Sequence, residues 1–94
     1  MTAGIAVVHN EAQQRFEAMV DGWLCVADYQ LRDDVAWLTH TGVPPAVGGR
    51  GIAAELVRVA LEHARTRGWK VMPTCSYVAA YMRRHPQTQD LLAT

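Results

Sequence analysis

The sequence predicts a mixed α/β (α+β) domain in which an antiparallel strand meander is followed by a helix, a strand and a second helix. Three observations predict it. Residues 15–20 and 23–29 alternate apolar and polar side chains on either side of Asp21 and Gly22, a two-residue hairpin signal. The period-two pattern stops at Pro44 and Pro45, because two successive prolines cannot donate to a strand ladder. Beyond them Ile52, Ala53, Leu56, Val57, Ala60, Leu61 and Ala64 recur at helical spacing.

Residues 5–9 are a short apolar run closed by Asn10 and are read as the first strand. Residues 15–20 form the second, with Phe16, Ala18 and Val20 on one face. Residues 23–29 form the third, with Trp23, Cys25, Ala27 and Tyr29 on one face and Leu24, Val26 and Asp28 on the other. Arg32, Asp33 and Asp34 make a polar turn into a fourth strand over residues 35–41. The first helix runs over residues 51–67, with Glu55, Arg58, Glu62 and Arg65 as its opposite, charge-paired stripe, and Gly68 ends it. Residues 69–72 are a fifth strand that Pro73 interrupts. Ser76 is expected to cap a second helix running to about residue 84, and the residue before Pro86 is pushed out of the helical region. A final turn over residues 87–92 lays Leu91 and Leu92 back on the core. One amphipathic helix then covers one sheet face. Trp23, Trp37 and Trp69 are all expected in the core, and His9 and His63 at the surface.

The chain of 94 residues has room for one domain, residues 1–94. A half-apolar composition with 19% charged residues excludes disorder. The formal net charge of +0 hides a split: residues 1–47 hold two cations and six anions, residues 48–94 seven cations and three anions. Without a basic tract, this does not make the broad cationic face of a nucleic-acid binder, so no nucleic-acid partner is expected. Two isolated cysteines are no disulfide scaffold, and histidines and cysteines show no metal-ligand spacing, so no metal is expected. The N-terminus lacks a secretory pattern and no apolar run approaches the ~20 residues of a membrane span. The expected location is the cytoplasm, with no membrane partner.

The chemistry is expected where the fourth strand passes into the first helix, through Val43, Pro44, Pro45, Ala46, Val47, Gly48, Gly49, Arg50 and Gly51. Glycines let backbone N–H groups approach a ligand, and a helix start adds partial positive charge, so the turn suits a pyrophosphate. It is no P-loop, lacking Lys followed by Ser or Thr. It is no dinucleotide fingerprint either, because it follows an antiparallel meander.

The run from Gly48 to Ala53 is similar to the acyl-CoA loop of Gcn5-related N-acetyltransferases (GNAT), with Gly51 and Ala53 at its last two defined positions and Gly48 where Arg or Gln is usual. Three further segments carry the resemblance: Thr39 to Pro44, Pro73 to Tyr77, and Tyr81 to Pro86. Together they resemble a small acetyltransferase-like branch of that family. The resemblance implies a shortened GNAT fold that binds acetyl-CoA where the fourth and fifth strands splay. It implies pyrophosphate contacts from Gly48, Gly49, Arg50, Gly51, Ile52 and Ala53, and pantetheine pairing along Thr41, Gly42 and Val43. Larger relatives add N-terminal helices around the acceptor, which here is reduced, open or completed by another subunit. A monomer and a homodimer are both compatible with this.

Direct transfer needs a group to take the amine proton and donors for the oxyanion and leaving thiolate. The candidates are Tyr81 as proton donor, placed by the resemblance; Cys75, ahead of a helix N-terminus that favours a negative sulfur; and His40, near the end of the fourth strand, as base. The implied activity is acetyl transfer from acetyl-CoA to an amine. An acyl-CoA-binding or protein-interaction module with little turnover is the alternative.

Overall fold

A computed structural model describes residues 5–93. Five strands lie in one sheet in sequence order: β1 (Val8–Asn10), β2 (Arg15–Val20), β3 (Trp23–Arg32), β4 (Val35–Gly42) and β5 (Lys70–Pro73). The first four form the expected antiparallel meander. β5 pairs in parallel with β4, which requires a crossover, and α1 (Ile52–Arg67) supplies it. α2 (Ser76–Arg84) follows β5, and a 3-10 turn over Pro86–Leu91 closes the fold.

Both two-residue hairpins have positive φ at each turn residue. Asp21 and Gly22 lie between the paired Val20 and Trp23, and Asp33 and Asp34 between Arg32 and Val35. This is the twist-matched turn that the sequence signals.

The core is the sheet face carrying Phe16, Ala18, Cys25, Ala27, Tyr29, Ala36 and Leu38, closed by Ile52, Leu56, Val57, Ala60, Leu61 and Ala64 of α1. α2 packs beside α1, burying Val78 and Met82, and Leu91 of the final turn joins them. Gly68 ends α1 in the left-handed conformation and donates its N–H to Ala64 and Arg65 carbonyls.

Several expectations are corrected. The first strand is only Val8–Asn10, and β3 runs three residues further, to Arg32. Cys75 rather than Ser76 is the N-cap of α2, and no side chain caps that end. Of the tryptophans only Trp69 is buried: Trp23 sits at the hairpin end of β3 and is 49% exposed. Trp37 is half-buried on the sheet face away from α1, under the Arg32 guanidinium at 5.0 Å.

His9 and His63 are half-buried rather than free at the surface. They meet at 4.3 Å between ring centroids, and His9 stacks on Phe16 at 4.4 Å and bonds the Tyr29 hydroxyl at 2.6 Å. Burial, and then the nearby His63, pushes the His9 pKa below its ordinary value; burial, and then Arg67, does the same to His63.

Candidate functional site

The glycine turn, the end of β4 and the start of α2 converge at one end of the sheet. After the twin prolines a 3-10 turn, Pro45–Val47, drives Val47 into the core and anchors the loop. Gly48 spends its N–H on the Pro45 carbonyl, so its backbone donor is not available to a ligand. Gly49 (φ 75) and Gly51 (φ 77) take the left-handed conformation that suits glycine, and they flank Arg50. Gly51 is the N-cap of α1, and no side chain caps the N–H groups of its first turn. The turn and the start of α1 border a cleft of about 260 Å³ lined by Val43, Gly48, Gly49, Gly51, Ile52, Ala53, Ala54 and Tyr77. Tyr77 is a residue that the sequence reading missed. Its spacing of four from Tyr81 was visible, but which of the two phenols faces the loop depends on how α2 is rotated.

Beside the cleft, β4 and β5 part. Their pairing ends at Leu38 and Pro73, because Pro73 has no N–H to continue it. The Leu38 carbonyl accepts the Cys75 N–H (3.0 Å) and the Thr74 hydroxyl (3.2 Å), which turns the chain away into α2. β4 runs on to Gly42, paired only with β3, so its other edge is open over residues 39–42. Cys75 is half-buried at the fork, its Sγ 3.9 Å from Thr41 Oγ1. Cys25, the other free thiol, is buried in the core.

A bulge fixes which side chains point where. Asp28 pairs with His40 but Tyr29 pairs with Leu38, so Thr39 is the extra residue. The inward series Ala36, Leu38 therefore continues at Thr41, opposite the buried Ala27, while His40 turns to the outer face opposite Asp28. There its ring lies over Gly42: a Cβ on Gly42 would stand 3.1 Å from His40 Nε2. His40 and Cys75 thus bracket the end of β4 from opposite sheet faces and share no hydrogen bond among the described residues.

Tyr81 lies one turn beyond Tyr77, in an adjoining groove of about 310 Å³ with Arg58, Leu61, Glu62, Arg65, Gln87, Thr88 and Leu91. Burial raises its phenol pKa above the ordinary value, and Arg58 partly opposes the shift. The His85 ring stacks on Tyr81 at 3.9 Å, and His85 Nδ1–H donates to the Tyr81 carbonyl at 2.7 Å.

The cations of the second half do not gather in the lining of the cleft. Arg50 Nη1 bonds Asp21 Oδ2 at 2.7 Å, tying the glycine turn to the β2–β3 hairpin. Arg83 and Arg84 lie in the last turn of α2, away from its N-terminal end at the fork. Arg58 is held by Glu55 and Arg65 by Asp90. Among the described residues, no group of three or more His, Cys, Asp or Glu is placed to hold a metal ion. No described helix is long and apolar enough to cross a membrane.

Comparison with known proteins agrees with this architecture. Protein NATD1 of Xenopus tropicalis is 30% identical over 96% of this chain and 85% of its own length. The proteins of the same name from Mus musculus and Homo sapiens are each 31% identical over 93% of this chain, and over 82% and 80% of their own lengths. The solution structure of a GCN5-like protein from Staphylococcus aureus superposes with a TM-score of 0.74 at 24% identity, covering 96% of this chain and 89% of that one. Residues 15–91 match the family described as GCN5-related N-acetyl-transferase, and the chain belongs to that family.

Proposed function

We propose that the protein binds acetyl-CoA at the fork between β4 and β5 and transfers its acetyl group directly to an amine. One observation carries the reading: an open β4 edge leads straight into a turn of left-handed glycines and an uncapped helix start. An extended pantetheine arm would pair with Thr41, Gly42 and Val43 along that edge. The pyrophosphate would take N–H groups from Gly49, Arg50, Gly51, Ile52 and Ala53, where the helix end favours negative charge. Gly48 would contribute close approach rather than a donor.

In the transfer the amine nitrogen bonds to the thioester carbonyl carbon, the carbon–sulfur bond then breaks, and CoA leaves as a thiolate. The amine must lose a proton and the thiolate must gain one. His40 is the candidate to take the first, and with its outer-face position the amine would approach from the sheet face away from α1. A phenol of α2 gives the second; Tyr81 is the candidate that the family resemblance implies, and Tyr77 is the one that lines the cleft. The raised pKa of Tyr81 keeps it protonated at neutral pH, as a donor must be. Cys75 at the fork would contact the CoA sulfur.

A second reading, CoA binding with little turnover, is favoured by the separation of His40 from Cys75 across the strand. Thiol release from acetyl-CoA, followed with a panel of amines, distinguishes the two. Acceptor-dependent release at a rate well above hydrolysis supports transfer. CoA binding without such release supports the second reading.

A further inference from the structure

The Arg50–Asp21 pair stands apart from the other ion pairs because it involves the loop itself. Asp21 is held firmly: it is the first residue of a two-residue turn with φ 49, between the paired Val20 and Trp23. Arg50 lies between two left-handed glycines, and only one of its nitrogens engages the carboxylate. Both side chains are exposed, at 49% and 65%, so the pair is weak and exchangeable. None of the residues lining the cleft is charged. Arg50 is the one cation of the loop sequence, next to that lining rather than part of it, and Asp21 neutralises it.

We infer that Asp21 is a resident anion for the loop, held by Arg50 until a phosphate group of the cosubstrate takes its place, and that it thereby sets the loop's affinity for phosphate-bearing ligands. The inference rests on the reading of the loop as an acetyl-CoA site. A guanidinium has five donors in a planar fork, and a phosphate can engage two of them where Asp21 engages one. Exchange needs only rotation of Arg50 about its glycine-flanked backbone, with the hairpin staying in place. An uncompensated Arg50 would bind phosphates more tightly and with less discrimination among them.

Calorimetric titration with CoA and with pantetheine, which has no phosphate, tests this on the full chain. Asp21→Asn removes the charge and keeps a residue that tolerates the left-handed turn; Asp21→Gly, equally suited to the turn, guards against a folding artefact. Both variants are expected to bind CoA about three- to tenfold more tightly than the wild-type chain at low salt, with the gain shrinking as salt rises. Pantetheine binding should not change. Arg50→Ala should weaken CoA binding, and adding Asp21→Asn to it should restore less than half of the gain seen in the wild-type background. If CoA binds the wild-type chain and both Asp21 variants equally, Asp21 merely staples the hairpin and the exchange is wrong. If the wild-type chain binds no CoA, the reading of the loop fails and the exchange fails with it.

Discussion

Thr41 Oγ1 and Cys75 Sγ face each other at 3.9 Å across the fork where β4 and β5 separate. Two residues far apart in sequence thus mark the place where a thioester would lie on the proposed reading. Cys75→Ala is expected to lower acetyl transfer about tenfold or more, the scale of one lost polar contact at the reacting atoms, with CoA affinity within about threefold of wild type. Steady-state turnover and titration on the same preparation check this. Full turnover in the variant would remove Cys75 from the reaction.

His40 is tested through its neighbour as well as directly. His40→Gln should lower turnover about 100-fold at neutral pH if the imidazole takes the amine proton. Gly42→Ala places a Cβ 3.1 Å from His40 Nε2 and 3.5 Å from Val26 Cγ2, so the ring must shift. That variant should lose part of the activity with an unchanged circular dichroism spectrum. Equal activity in both variants and the wild-type chain would dismiss a role for His40.

Gly49→Ala isolates the loop's backbone requirement. Its φ of 75 disfavours a side chain, and an added Cβ would meet nothing within 4 Å, so only conformational strain is introduced. A destabilisation of about 1–2 kcal/mol is expected in urea unfolding, with weaker CoA binding as the loop relaxes. Phe16→Ala is the contrasting core change: the ring is 1% exposed, and its loss should cost about 3–5 kcal/mol.

The His9–His63 contact makes stability depend on pH. Burial lowers both pKa values in the folded protein, with Glu11 pulling the other way on each. The unfolded chain therefore binds more protons below its unperturbed pKa of about 6.5. The stabilisation is full above that pH and is lost as the pH falls through the lower folded values. Thermal melts between pH 7.5 and 5 should show a falling Tm, and His63→Phe, which keeps a ring against His9, should flatten the slope. Glu17 and Asp90, held below their ordinary values chiefly by Arg15 and Arg65, respond only at more acid pH.

Most of the scaffold is legible in the sequence because period and punctuation are local signals. Asp21 and Gly22 mark a real hairpin, and Gly51 and Gly68 bracket α1 as N-cap and C-cap. The glycine turn, too, lies where its residues indicate. The details of the site are not legible, because they depend on non-local geometry. Simple alternation groups His40 with Ala36 and Leu38, and the bulge at Thr39 reverses that. Nothing near Arg50 in the sequence marks its partner, and the hairpin brings Asp21 to it from 29 residues away. His9 and His63 read as surface polar residues until α1 lies across the sheet and packs them together.

On the proposed reading the open end of β4 and the glycine turn bind acetyl-CoA together, which amide-resolved NMR titration can follow residue by residue. Adding acetyl-CoA is expected to give saturable shifts concentrated at Thr41, Gly42, Val43 and from Gly49 to Ala53, with β1 and the C-terminal turn of α1 unmoved. Shifts confined to other surfaces, or none at millimolar acetyl-CoA, would contradict it.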